Sequence, residues 1–142
     1  MTSSNDNRIA PCKVKTLGKR SYRCYFELTL SIIGGKWKPI ILYHLGIRKV
    51  LRFGQLRRTM PEITERMLTR QLRELESDGM VRRTVYPTSP PRVEYSLTGM
   101  GTTILPLLHA MRAWGVACER QLGGEGLFPP EDGYEDPDQL PC

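Results

Sequence analysis

The sequence predicts a mainly α-helical chain that carries one small antiparallel β-hairpin. Three observations support this. Short apolar segments with helical spacing lie between positions 24 and 78, and the last two are joined by a turn of only three residues. The pattern then switches to a two-residue period on either side of a proline-rich tip, and a long apolar seam closes the folded part.

Each element follows from its residues. Cys24 to Ile33 places apolar side chains at Phe26, Leu28, Leu30, Ile32 and Ile33, a pattern open to strand or helix, and Gly34-Gly35 ends it. From Lys36 to Leu45, Trp37, Ile40, Ile41 and Leu45 follow helical spacing, with Pro39 in the first turn, where a missing amide costs little. Lys49 to Arg52 is too short for independent structure, although Val50 and Leu51 suit a minor edge strand. Phe53, Leu56 and Met60 mark one face of a short helix stopped by Pro61. After the turn Pro61 to Ile63, Thr64 suits the N-cap of a helix that buries Leu68, Leu72 and Leu75 and ends at Asp78-Gly79. Met80 to Tyr86 and the alternating run Val93, Tyr95 and Leu97 form a hairpin around Pro87-Thr88-Ser89-Pro90-Pro91. Thr98 then caps a long helix whose seam is Ile104, Leu108, Met111, Gly115, Cys118 and Leu122, a spacing suited to packing against a second helix. Helix, short helix, turn, helix and hairpin is the order of a winged helix-turn-helix.

Composition fits one such domain, with 39% hydrophobic and 25% charged residues in 142. Residues 1–21 are expected to form a flexible basic arm, 22–122 the folded domain, and 123–142 an acidic, disordered tail. Charge is unevenly placed: six of the 15 acids, Glu125, Glu131, Asp132, Glu135, Asp136 and Asp138, follow residue 124, whereas all 21 bases precede it. The field of residues 1–124 therefore attracts polyanions, nucleic acid or an anionic membrane surface. No apolar run approaches a membrane span, and no apolar segment follows the polar N-terminus as a secretory signal would require, so the expected location is the cytoplasm.

The placement of the bases favours nucleic acid. With Leu68, Leu72 and Leu75 inward, Glu65, Arg66, Thr69, Arg70 and Arg73 form the outer stripe of the Thr64–Asp78 helix. Arginine forks match guanine edges, threonine reaches a thymine methyl or phosphate, and glutamate accepts from cytosine, so these five are the expected base readers. A solvated helix face would carry similar charges, and the neighbours decide between the two. Arg52, Arg57 and Arg58 on the preceding helix, Thr64, and Arg82 and Arg83 on the wing are expected on the DNA backbone. Arg92 at the hairpin tip suits an adjacent minor groove, whose negative potential attracts arginine.

These residues resemble the HxlR-type transcriptional regulators, related in fold to the MarR group. The matching stretches include Ile33-Gly34-Gly35-Lys36-Trp37, Leu56-Arg57-Arg58, Met67-Leu68-Thr69, Leu72-Arg73-Glu74-Leu75-Glu76 and Pro90-Pro91-Arg92-Val93-Glu94-Tyr95-Ser96-Leu97-Thr98, within about residues 24 to 115. The resemblance implies a bacterial homodimer, dimerising through its N- and C-terminal helices and bound to a pseudo-palindromic operator in double-stranded DNA, acting as a repressor rather than an activator. It also implies an oxidant or electrophile sensor at Cys24, although Tyr25 stands where the family usually has proline. Lys19, Arg20 and Arg23 lie close to Cys24 in sequence, and nearby positive charge favours the reactive thiolate. Partner thiols would be Cys24, Cys12 or Cys118 of a second subunit, whereas the alternative is inert thiols filling the dimer seam.

Two further readings compete. A small aromatic effector could sit among Trp37, Tyr43, Met111 and Trp114, although these equally suit core. A winged helix could instead dock an acidic protein. An enzyme finds little support: His44 and His109 have no metal-ligand spacing and are expected on helix faces, and no phosphate loop or nucleophile motif is present. No cofactor or metal is expected.

Overall fold

The computed structural model describes residue 10 and residues 12–123. The acidic tail from residue 124 onward, with Cys142, lies outside the described residues. The chain divides into two compact units, the first ending at Gly34 and the second starting at Gly35, rather than at the arm boundary expected near residue 21.

In the first unit, strands β1 (Lys15–Leu17) and β2 (Arg20–Tyr22) pair antiparallel in the register Lys15 to Tyr22, within the segment expected to lack regular structure. Gly18 supplies the positive φ, 61°, that this tight turn requires. Helix α1 (Tyr25–Ile33) settles the strand-or-helix ambiguity. Its entry is fixed by the Glu27 carboxylate, which accepts from the Arg23 backbone N–H at 2.5 Å. The Arg20 guanidinium donates to Ser31 Oγ at 2.8 Å, tying β2 to α1, and Lys15 Nζ stands 4.4 Å from the Tyr25 ring centre. Gly34 closes the helix because a Cβ there would lie 2.2 Å from the Leu30 carbonyl oxygen.

The second unit begins with α2 (Trp37–Arg48), longer than expected by the turn that reaches Arg48. β3 (Val50–Arg52) follows and feeds directly into α3 (Phe53–Thr59). Arg52 therefore stands at the strand end and N-cap of α3 rather than on the helix, its backbone N–H donating to Gln55 Oε1 at 2.8 Å. Helix α4 (Glu65–Ser77) comes next, then β4 (Val81–Tyr86) and β5 (Arg92–Leu97). The sheet order is β3-β5-β4, all antiparallel, so the expected edge strand pairs onto the wing. The core joins α2, α3, α4 and β4 through Ile41, Leu42, Leu45, Leu56, Leu68, Leu72, Leu75 and Val81, all fully buried.

The last helix differs from expectation. Thr98 caps a single turn, α5 (Gly99–Thr102), its Oγ1 accepting from Gly101 N at 2.9 Å, and α6 (Leu105–Gln121) starts afresh. Ile104 is the N-cap of α6 rather than a helical seam residue. Pro106 explains the break, since in one continuous helix its ring would clash with the Thr102 carbonyl and leave it unpaired. α6 packs against α2, where Gly46 leaves room for Leu105: a Cβ there would lie 2.5 Å from the leucine methyl. Among the described residues no helix is long and apolar enough to cross a membrane.

Candidate nucleic-acid interface

The centre of the site is α4 and the turn leading into it. Met60 and Ile63 are buried and pin that turn, with Ile63 N–H donating to the Met60 carbonyl at 3.1 Å. Thr64 is the N-cap, its hydroxyl accepting from Met67 N–H at 3.1 Å. Gly79 takes φ 76° at the far end, the left-handed exit expected there. With the leucine stripe buried, Glu65, Arg66, Arg70 and Arg73 are exposed and Thr69 is half-buried on the opposite side.

The five residues of this stripe differ in their attachments. Arg57 of α3 donates to Glu65 Oε1 at 2.9 Å, bridging the two helices of the motif. Arg70 Nε stands 3.4 Å from Glu74 Oε1, one turn along. Arg66 and Arg73 have no ion-pair partner among the described residues. Arg58 is exposed on α3 and lines a shallow groove with Arg57, Pro61 and Glu65.

The wing sorts its bases by strand alternation. Arg82, paired with Ser96, shares a face with Tyr86, Arg92, Glu94 and Arg52, whereas Arg83, paired with Tyr95, lies on the opposite face with Leu51. Both are exposed, but on opposite faces. Arg92 is not a free tip residue: its guanidinium carbon lies 4.3 Å from the Tyr86 ring centre and its Nε lies 3.2 Å from Glu94 Oε1. Stacking and the ion pair together fold it onto the wing surface.

Sequence reasoning missed Lys38. This α2 residue is buried at 9% exposure, and its Nζ lies 2.9 Å from Glu74 Oε2. The hydrogen bond from Lys38 is the main cause holding the Glu74 carboxyl below its ordinary value of 4.5, against the opposing effect of burial. The signal was present in the spacing, since Lys38, Ile41, Leu42 and Leu45 follow i, i+3, i+4 and i+7 on one buried stripe.

Other expected groupings change. Leu108 is buried against its own unit, whereas Leu107, Met111, Trp114 and Leu122 are exposed, Trp114 at 71%. The outward apolar stripe keeps Met111 and Leu122 of the expected seam but runs through Leu107 and Trp114 in place of Leu108, a turn of about 40° around the helix; Gly115 lies exposed and Cys118 partly covered near it. Trp37, Tyr43, Met111 and Trp114 do not gather: Tyr43 is buried, Met111 and Trp114 face outward, and Trp37 lines a separate half-open groove of about 320 Å³ with Ile40, His44, Met60 and Pro61. His44 is buried rather than on an open helix face, and burial, then the Arg48 charge, pushes its pKa below 6.5. Cys24, at the N-cap of α1, is a free, partly exposed thiol, and Cys12 and Cys118 are also free. Among the described residues no three His, Cys, Asp or Glu side chains gather to hold a metal.

The model of the HxlR-like helix-turn-helix family matches residues 32–122, which takes in α2, the turn, α4, the wing and α6. The chain belongs to that family. Relatives are transcriptional regulators: the HTH-type transcriptional regulator YdeP of Bacillus subtilis (strain 168) is 56% identical over 92 residues, 65% of this chain and 71% of that protein. YdzF of the same organism is 50% identical over 98 residues, 69% of this chain and 90% of its own. This HxlR-type chain is accordingly a transcriptional regulator. Among solved structures, the redox regulator HypR in its oxidised form is 54% identical with a TM-score of 0.63, covering 66% of this chain and 96% of that one. HypR in its reduced form gives 52% identity and a TM-score of 0.65, covering 70% and 96%. The diamide-treated regulator YodB from B. subtilis is 33% identical with a TM-score of 0.56, covering 66% and 91%.

Proposed function

We propose that this HxlR-type regulator is a cytoplasmic homodimer that represses by binding a pseudo-palindromic DNA operator, reading bases with α4. The observation that carries this reading is a cationic α4 face whose Arg66 and Arg73 have no ion-pair partner among the described residues, on a helix fixed from behind by three fully buried leucines. Those two arginines sit seven residues apart, about 10 Å along the axis, on the side that would enter a major groove. Arg58 and Arg82 supply exposed charge for flanking phosphates, and the exposed Leu107, Met111, Trp114 and Leu122 supply a stripe for a second copy. Selection of duplexes from a random pool by the wild type, then titration of the recovered duplex, tests it. Arg66→Ala and Arg73→Ala should relax base preference by about tenfold or more, and Trp114→Glu should yield monomers in sedimentation. Unchanged preference in both arginine variants would remove α4 as the reader.

A second reading adds redox control through Cys24. It is supported by similarity above 50% to a regulator solved in oxidised and reduced forms, and by a free, partly exposed thiol at the start of α1, beside exposed Tyr25 and Phe26. Two thiols from different subunits would each lose a proton and an electron to an added oxidant such as diamide, closing a disulfide. Diamide should then change operator binding in the wild type and leave Cys24→Ser unaffected; an equal response in both would exclude Cys24.

A further inference from the structure

We infer that Lys38 is a positioning residue that keeps Arg70 available for DNA by occupying the carboxylate that would otherwise capture it. This rests on the reading of Arg70 as a base-contacting residue. Glu74 faces two cations. Lys38 Nζ approaches Oε2 at 2.9 Å from the buried side, and Arg70 Nε approaches Oε1 at 3.4 Å from the solvent side. The first distance is that of a charge-assisted hydrogen bond, and the second is beyond the usual range for one.

The asymmetry has a physical origin. Lys38 is almost wholly buried on α2, so its ammonium has little access to water and relies on Glu74. Arg70 is 71% exposed and pairs with Glu74 in the less favourable helix order, base before acid, so solvent and salt weaken its hold. Lys38 thus satisfies Glu74 from beneath the helix, and Arg70 remains only loosely held at the surface. A guanidinium that must swing to a base edge loses little by leaving a contact of 3.4 Å.

Without the ammonium, the same carboxylate would have Arg70 as its one remaining cationic neighbour among these three. The i,i+4 pair would tighten, and Arg70 would be drawn along the helix and away from the groove. Lys38 would in this way shape base preference without touching DNA.

The test uses the full chain and a duplex recovered by selection with the wild type, together with versions altered at single base pairs. Arg70→Ala should lower discrimination at one base pair by about tenfold. Lys38→Met, which keeps the unbranched apolar stem, should lower discrimination at the same base pair by a similar factor. Lys38→Met with Glu74→Gln should restore it, because the amide no longer holds Arg70. A Lys38 role limited to stability would weaken binding to all duplexes alike, with no rescue by Glu74→Gln, and that result would overturn the inference. Full discrimination in Lys38→Met would also overturn it. If Arg70→Ala itself changes nothing, the base-reading role of Arg70 fails instead, so the two failures are distinguishable.

Discussion

Replacing Gly101 with alanine sets two physical effects against each other. Helix propensity favours alanine over glycine by about 0.8–1 kcal/mol in a helix interior. At Gly101, however, a Cβ would lie 2.1 Å from the Met80 carbonyl oxygen, 3.1 Å from its carbon and 3.3 Å from Leu97 Cβ. The nearest obstacle is backbone, which cannot rotate aside. That same carbonyl accepts from Thr98 N–H at 3.1 Å, so moving it weakens the contact joining the exit of α4 to the end of β5. Overpacking of this kind costs about 1–3 kcal/mol, and loss of the hydrogen bond adds about 1 kcal/mol. The clash outweighs the propensity gain, leaving a net loss of about 2 kcal/mol. In a unit of this size the expected fall in Tm is on the order of 10 °C. Thermal unfolding followed by far-UV circular dichroism at one fixed protein concentration measures it. Gly99→Ala, where no atom stands within 4 Å of the new Cβ, serves as the control and should stay near the wild type. Gly101→Ala unfolding at or above the wild-type temperature would refute the packing argument.

Two further substitutions probe the elements around α4. Thr64→Ala removes the acceptor for Met67 N–H and should cost about 1 kcal/mol, seen as a lower urea midpoint with an unchanged slope, whereas Thr64→Ser should recover most of it. His44 has a pKa lowered by burial and by Arg48, so the unfolded chain takes up a proton first as pH drops below 6.5. Its contribution to stability is complete above that value and is lost as pH falls toward the lowered folded value. His44→Gln should therefore flatten the pH dependence of urea unfolding between about pH 7 and about pH 5.5, and identical slopes in both proteins would contradict the assignment. Glu74 acts in a separate window, because its lowered pKa makes stability fall only once pH drops below 4.5.

The parts of the fold legible in the sequence are those where one periodicity dominates. Leu68, Leu72 and Leu75 announce α4, and Thr64 and Gly79 mark its ends through capping chemistry independent of tertiary context. The wing is legible because Val93, Tyr95 and Leu97 alternate after a proline-rich tip. β1 and β2 escaped notice because β1 is exposed throughout and the pair is held by backbone bonds and cation–ring contacts rather than an apolar face. The rotated stripe on α6 was hidden for the opposite reason. That helix is apolar on two sides, Leu108 inward and Leu107, Met111 and Trp114 outward, and spacing alone cannot say which side is the core. Lys38 is not legible because charged residues are assigned outward by default, a rule that fails where a half-exposed carboxylate on a neighbouring helix receives a buried ammonium.

These constraints converge on α4. Its start is held by Thr64 and by the Arg57 to Glu65 pair, its back by three leucines, and its middle by Lys38 through Glu74. A helix fixed at so many points would enter a groove in one orientation, with little ordering cost left at the moment of binding. Neutralisation within the motif is equally selective. Glu65 would repel phosphate if left unpaired, yet Arg57 offsets it, and Glu74 is offset by Lys38. The charge that the helix presents outward is thereby concentrated on Arg66, Arg70 and Arg73, and Arg57 is better described as the clamp of Glu65 than as a phosphate contact. Removing the Arg57 guanidinium would then alter base preference through Glu65 as well as overall affinity, whereas a pure phosphate contact would weaken all sequences alike.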